Sequence, residues 1–453
     1  MSSTNERAAV ILAAGMGTRM KSALPKVLHR IAGKPILGHV MDAVAAAGVE
    51  RIIVVTAPAG QSVRDYAAAR GAHCVIQHSQ LGTGHAAAAA RPALADFAGR
   101  LVVAYGDMPL VASDTFAASF AAQAQTGMAI VAFNSTNPSY GRVIAEKDGR
   151  LARIVEYRDA SADERRVTIC NAGIMAAPAP QFFDWCSRLS NDNSQGEYYL
   201  TDVPLLARQD RVACAIVMAE ETEMMGVNSR GELAAAEAEM QRRLRSAALA
   251  NAVGLQAPDT VFLSHDTVLE SDCTIGPYVV FGPGVTVKSG AEIKAFSHLE
   301  DCVVHEGAII GPYARLRPGA DIGRGAHIGN FVEVKATKVG DGAKANHLTY
   351  LGDASVGAGA NIGAGTITCN YDGFFKYRTE IGAGAFIGSN SALVAPVTIA
   401  DGAYIGAGST ISGSAVAKDA LCFTRAPRKE IQGWAHDFRE RKAKEKSLSK
   451  KEK

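Results

Sequence analysis

Three groups of residues in the chain carry side chains suited to polar chemistry. The first is Gly15-Met16-Gly17-Thr18-Arg19, which follows the apolar run Ala8–Leu12, together with Lys26 in Leu24-Pro25-Lys26-Val27-Leu28. Glycines placed after a strand let consecutive backbone N–H groups approach phosphate oxygens. Arg19 adds a planar cationic fork and Lys26 a point charge, although either cation alone is equally compatible with a plain surface residue. The second is Asp107, which ends the run Leu101-Val102-Val103-Ala104-Tyr105-Gly106. A carboxylate delivered by a buried strand is a candidate ligand for a hard cation, and also a common turn residue. The third group is Arg317, Lys335 and His347, two cations 18 residues apart followed by one imidazole. Histidine titrates at about pH 6.5 as a residue type, which suits a general base at neutral pH, but a single histidine can equally be structural.

The elements that must position the third group repeat themselves. Aliphatic residues and one Phe recur every six positions at Leu263, Leu269, Ile275, Phe281, Val287, Ile293 and Leu299. After a slip the beat resumes from Ile310 to Val334, and again from Ile381 to Ile411. Glycine follows the same division: residues 1–253 hold 18 and residues 255–425 hold 25. A period of six fits neither an amphipathic helix nor a hairpin array. It predicts a parallel β-helix, with one aliphatic side chain per short strand pointing inward and small residues at the corners. The pattern resembles the left-handed β-helix acyltransferases, whose three six-residue faces imply 18 residues per coil. On such a coil Arg317 and Lys335 stand on adjacent strands about 4.7–4.9 Å apart. Like charges so placed are unfavourable, so an anion such as a sugar phosphate is expected between them; two separately solvated cations are the alternative. Between Thr368 and Glu380 the beat lapses, which predicts an excursion from the coil.

Apolar runs at Ala8–Leu12, Arg51–Thr56 and Leu101–Ala104, separated by helical stretches, predict an α/β sheet in the first half. Met20 stands where a GxGxxG dinucleotide motif needs its last glycine, so a nicotinamide-binding fold is disfavoured. Ser229-Arg230-Gly231-Glu232 reads as a capping box opening an amphipathic helix from Leu233 to Asn251, long enough to separate two domains. The expected domains are 1–228, a linker helix over 229–252, a β-helix over 253–430 and a basic tail over 431–453. Residues 439–453 hold eight Lys/Arg against three Glu, a composition read as a solvated disordered tail.

The spacing Gly15-x-Gly17-Thr18-Arg19 … Pro25-Lys26 is similar to the sugar-phosphate nucleotidylyltransferases. His347-Leu348-Thr349-Tyr350, with Ala364-Gly365-Thr366-Ile367-Thr368-Cys369-Asn370-Tyr371-Asp372-Gly373, resembles the acetyltransferase half of a bacterial family of bifunctional uridylyltransferase/N-acetyltransferases. The likeness covers nearly the whole chain in order; Asn346 departs from it where glycine is expected. It implies that acetyl-CoA and glucosamine 1-phosphate give N-acetylglucosamine 1-phosphate, which UTP converts to UDP-N-acetylglucosamine and pyrophosphate for cell-wall precursors. It further implies Mg²⁺ held by Asp107 and Asn228, and Arg19 and Lys26 as catalytic cations. Nucleotide-sugar contacts are implied for Leu12, Ala13, Ala14, Gly15, Lys26, Gln77, Gly82, Thr83, Tyr105, Gly106, Asp107, Gly141, Glu156, Asn171 and Asn228. In the second half His347 becomes the general base. Arg317, Lys335, Tyr350 and Asn361 would take the acceptor sugar phosphate, and Ala364, Asn370, Tyr371, Ser389, Ala407 and Arg425 the acetyl-CoA. A homotrimer with shared acyl-acceptor sites is implied as well.

Composition narrows the classes. Hydrophobic residues make up 48% and charged residues 20%, with a formal charge of +2, which suits a folded protein and argues against a dedicated nucleic-acid binder. No apolar run reaches the roughly 20 residues of a membrane span, and no signal peptide is read, so a cytoplasmic enzyme is expected. The eight cysteines (74, 170, 186, 214, 273, 302, 369, 422) form no CxxC pair and are expected to be buried free thiols. Without a base paired to any of them, direct acetyl transfer is favoured over an acyl-enzyme. Three alternatives remain at this level: a monofunctional pyrophosphorylase with a regulatory β-helix, a trimerising scaffold, and a zinc site drawing on His298, His305, His327 or His347.

Overall fold

The computed structural model describes residues 6–413, 415–425 and 427–449. The chain divides into one compact unit of residues 1–250 with 262–267, and a second of residues 251–261 with 268–453.

In the first unit the strand order is Ala213–Met218, Gly127–Asn134, Ile169–Pro178, Arg100–Tyr105, Arg7–Ala13, Arg51–Thr56, His73–Ile76. Pairing is parallel along this path except at Ile169–Pro178, which runs antiparallel to both neighbours. The strand Arg7–Ala13 lies between two parallel partners and is buried from Ala8 to Ala13, as its unbroken apolar sequence requires. Helices cover both faces and bury two apolar clusters, one around Val10, Val103 and Phe182, the other around Ile11, Val102 and Phe116.

The helix expected after the capping box spans Arg230–Ala250 and belongs to this first unit. Ala236 packs with Met20, Ile31, Ile36, Leu110 and Val227, with Leu233, Met240 and Leu244 partly buried against them. The Ser229 hydroxyl accepts from the Glu232 N–H at 3.2 Å, while the Glu232 carboxylate reaches back to the Asn228 N–H at 2.7 Å. Leu263 does not start the coil. Its N–H and C=O are both held by the Gln241 amide of this helix, so it belongs to the first unit.

The second unit winds three parallel sheets of ten, eight and eight strands. Ile275, Phe281, Val287, Ile293 and Leu299 are all buried, so the six-residue beat does mark the inward side chains. Coil length varies. Leu316 pairs with Val334, a spacing of 18, whereas Leu299 pairs with Leu316 and Asn330 with His347, spacings of 17. The one-residue shortening is the slip seen in sequence. At the expected excursion Ala354 pairs with Thr379 and Asn361 with Phe386, spacings of 25, and a Tyr371–Lys376 bridge closes the extra loop.

Two expectations are corrected. The basic tail is not irregular: Trp434–Ser449 is helical, because its sequence is dominated by good helix formers such as Arg, Lys, Glu and Ala. All eight cysteines are free, but only Cys170, Cys186, Cys214, Cys273 and Cys302 are buried; Cys74, Cys369 and Cys422 are half-buried. Burial pushes the thiols of Cys186, Cys214 and Cys302 up to about 12, which makes them poor nucleophiles.

Candidate active sites

Two cavities of about 290 and 260 Å³ open in the first unit and share Tyr105 and Asp107 on their walls. Leu12, Ala13, Ala14, Gly15, Lys26, Gln77, Gly82 and Thr83 line the first together with that pair. Gly141, Glu156, Asn171 and Asn228 line the second. Gly106 lines neither; its N–H bonds to the Leu12 carbonyl at 2.9 Å and so fixes the turn that presents Tyr105 and Asp107. Arg19 is exposed on the short turn Thr18–Met20 and is on neither wall.

Local packing explains several positions. Gly17 has φ +59°, and a Cβ there would lie 2.7 Å from the Lys26 Cβ, so glycine is what lets the Lys26 turn close against the loop. Gln77 is buried, with its amide nitrogen near the Gly82 carbonyl (3.2 Å) and His85 Nδ1 (3.0 Å), which orders the wall of the first cavity. In the second cavity burial raises the Glu156 carboxyl above the usual range, opposed by a 3.2 Å bond from the Thr201 hydroxyl. Burial likewise raises the Tyr105 phenol, which keeps it a neutral donor. Sequence reasoning missed Gln80, Glu197 and Tyr140 on these walls. Gln80 donates to the Ala14 carbonyl at 2.7 Å, and its place two residues before Gly82 was the only hint.

At the junction the Lys26 ammonium lies 2.5 Å from Asp107 Oδ2 and 2.9 Å from Asn228 Oδ1. The Val227 N–H bonds to the Asp107 carbonyl at 2.9 Å, and the capping box secures Asn228 from the other side. One carboxylate and one amide oxygen thus converge on a cation. Such a donor set fits Mg²⁺, which keeps several waters and substrate oxygens rather than taking a full protein cage. Among the described residues there is no group of three or more His, Cys, Asp or Glu that could hold a metal ion.

In the second unit Arg317 and Lys335 occupy the same position on successive coils, with the Arg317 N–H bonded to the Val334 carbonyl at 2.8 Å. Arg317 pairs with Glu333 at 2.9 Å and Lys335 with Asp353 at 3.3 Å. The Asn370 amide bonds to Asp353 and lies 3.5 Å from the Tyr350 hydroxyl. These four residues of the expected acceptor and acetyl-CoA sets, Lys335, Tyr350, Asn370 and Arg317, therefore cluster around two carboxylates that sequence reasoning did not single out.

His347 ends the strand Lys344–His347 at a corner of the coil, its Nδ1 2.7 Å from Asn330 Oδ1. It lines a cavity with Asn330, Phe331, Tyr313 and His327, which contains neither Arg317 nor Lys335. Asn361 is on the same sheet as His347, paired with Lys344. Below the histidine, the same corner is continued on later coils. Gly365 N–H approaches the His347 carbonyl (3.4 Å), Asn390 N–H bonds to the Ala364 carbonyl (2.7 Å), and Gly408 N–H to the Ser389 carbonyl (2.8 Å). Ala364, Ser389 and Ala407 thus form one column descending from His347. Arg425 lies past its far end, its guanidinium 5.3 Å from the Phe423 ring. Next to this column the corner residue is an exposed ring at Tyr278, Phe296, Tyr313 and Phe331, stacked 4.9–5.3 Å apart, then the exposed Leu348 beside the histidine, and Gly365, Asn390 and Gly408 below it. Tyr371 is in the excursion, exposed, and bonded to the Gly373 carbonyl at 2.6 Å.

Residues 9–189 match a MobA-like NTP transferase domain, and residues 301–336 and 378–413 match the bacterial transferase hexapeptide of six repeats. The Paramagnetospirillum magneticum protein named bifunctional protein GlmU is 49% identical over 98% of this chain and 99% of its own length. Proteins of the same name from Caulobacter vibrioides (53% identical, covering 96% and 94%) and Nitrobacter hamburgensis (51%, covering 96% and 96%) agree. The chain belongs to the GlmU family. The GlmU assignment makes the second unit a left-handed hexapeptide β-helix and the protein a bifunctional transferase. Among the described residues no helix is long and apolar enough to cross a membrane.

Proposed function

We propose that the chain makes UDP-N-acetylglucosamine in two steps, acetylating glucosamine 1-phosphate in the second unit and transferring a uridylyl group in the first. In the acetylation, the sugar amine attacks the thioester carbonyl of acetyl-CoA, the amide C–N bond forms, the C–S bond breaks, and CoA leaves as its thiol. His347 takes the proton that the amine must lose. With Asn330 Oδ1 accepting from Nδ1–H, the imidazole keeps its Nε2 lone pair for that proton. Arg317 and Lys335 bind the sugar phosphate by exchanging their carboxylate partners for phosphate oxygens. The thioester carrier lies along Ala364, Ser389 and Ala407, with Arg425 near its phosphates. The acetyl group passes directly to the amine, since the half-buried Cys369 has its Sγ against the Ile367 carbonyl rather than a base.

In the first unit the nucleotide occupies the cavity of Gly15, Gln77 and Gly82, and N-acetylglucosamine 1-phosphate that of Gly141, Glu156 and Asn171. Their shared wall at Tyr105 and Asp107 brings the sugar phosphate to the nucleotide's α-phosphorus, and pyrophosphate leaves. Asp107 and Asn228 would hold Mg²⁺, which neutralises charge on the phosphates when bound. Lys26 supplies a further positive charge there. Arg317 and Lys335 do not line the cavity at His347, and this supports an acceptor site completed by another copy, in a cytoplasmic homotrimer.

The observation that carries the reading is the His347 imidazole on a cavity wall with its Nδ1 2.7 Å from Asn330 Oδ1, an arrangement that a nucleotidyltransferase with a merely regulatory β-helix would not need. The test is an assay with UTP, glucosamine 1-phosphate, acetyl-CoA and Mg²⁺, leaving out one component at a time. Pyrophosphate release should require all four. Release that continues at full rate without acetyl-CoA would sink the two-step order.

A further inference from the structure

The Lys26 ammonium occupies the point where the Asp107 and Asn228 oxygens converge. It is 2.5 Å from one and 2.9 Å from the other, with the Lys26 side chain 11% exposed and that of Asp107 20%. We propose that Lys26 is the resident counter-ion of the metal site: the divalent cation enters only as this ammonium leaves, and the displaced ammonium moves to the nucleotide's phosphates. The inference rests on reading Asp107 and Asn228 as the cation's ligands.

The physical case is one of mutual exclusion. A carboxylate this enclosed needs a positive partner, and Lys26 provides it while the protein is free of ligand. An ammonium and a dication cannot share the same two oxygens. Even held a few ångströms apart in a protein environment, they repel by more than about tenfold in binding constant. The lysine is built to move at one end only. Gly17 packs against its Cβ, whereas its ammonium sits on a four-carbon stem with rotatable bonds. A polyphosphate in the adjoining cavity, whose wall includes both Lys26 and Gly15, gives the displaced charge a new partner. Cation and nucleotide therefore each bind more tightly when the other is present, and by linkage the gain is equal in both directions.

The test is Mn²⁺ binding to the intact chain without nucleotide, read from the electron paramagnetic resonance of free Mn²⁺. Lys26→Gln and Lys26→Met should each bind the ion about tenfold or more tightly than the wild type, while Lys26→Arg, which keeps the charge, should not. Unchanged or weaker binding in both neutral variants, checked as folded by circular dichroism, would overturn the exchange. Adding Asp107→Asn to Lys26→Gln separates the two layers. Loss of the tight site is expected; persistence of it would mean the ion binds elsewhere, and the reading of Asp107 as a ligand would fall with the inference.

Discussion

Arg317 and Lys335 stack on neighbouring coils, yet each leans on its own carboxylate, Glu333 at 2.9 Å and Asp353 at 3.3 Å. The carboxylates hold two like charges side by side at the spacing of adjacent strands, and they are the groups a phosphate must displace. Arg317→Ala and Lys335→Ala should each raise the KM for glucosamine 1-phosphate by about ten- to a hundredfold, the worth of one charge-assisted hydrogen bond. Uridylyl transfer from N-acetylglucosamine 1-phosphate, assayed on the same preparations, should be unchanged. A fall in both activities would mean that the cations serve folding instead.

This pairing shows how far the sequence could be read. The stacking of Arg317 over Lys335 follows from an uninterrupted beat of inward aliphatic residues, which is a local signal repeated many times. The partners do not follow, because Glu333 and Asp353 are ordinary charged residues until the coil brings them beside the cations. The same limit separates Asp107 from Asn228. A strand end announced the first, while the second was placed only by family resemblance, since their convergence depends on the Val227–Asp107 backbone bond. Asn330 escaped notice for a related reason: it faces His347 across a coil of 17 residues, one short of the expected 18.

His347 and Asn330 make a separable pair of expectations. Removing the base, as His347→Ala, should lower kcat for acetyl transfer by about 10²–10⁴, with uridylyl transfer intact. Asn330→Ala keeps the base but frees the ring to rotate and to change tautomer. We expect a smaller loss, about tenfold, mainly in kcat with KM little changed. An Asn330→Ala enzyme with wild-type kcat would show that the 2.7 Å contact does not orient the imidazole.

Gly173 tests the shared wall of the two cavities. Its φ is +72°, and a Cβ at that position would lie 1.9 Å from the Tyr105 ring. Gly173→Ala must therefore push Tyr105 toward the cavities or strain the strand, at a cost of about 1–3 kcal/mol. Uridylyl transfer should fall by at least about tenfold, because a displacement of an ångström at the reacting groups is that costly. Acetyl transfer should persist. Equal activity of wild type and variant in the pyrophosphate-release assay would show that Tyr105 has no positioning role.

His39 predicts how the first unit responds to acid. Burial is the main force lowering its pKa, to about 4; nearby Lys34 and His265 push the same way, while a bond to the Ile31 carbonyl and the Asp42 carboxylate push it up. Because the folded state holds this imidazole neutral, the unfolded chain binds more protons between pH 6.5 and about 4. The stabilisation is complete above pH 6.5 and is lost as pH falls through that window, by at most roughly 3 kcal/mol for the shift from 6.5 to about 4. His39→Gln, which preserves a donor to the Ile31 carbonyl, should flatten this part of the stability–pH curve while leaving the trend from other groups. Trp185 is buried in the first unit, and a Trp434→Phe background leaves it the only tryptophan of the two in the chain. Urea unfolding followed by its fluorescence at pH 7.5 and pH 5 should show a smaller drop in midpoint for His39→Gln than for the parent. Parallel curves for the two proteins would mean that His39 takes up its proton as readily in the fold as in the unfolded chain.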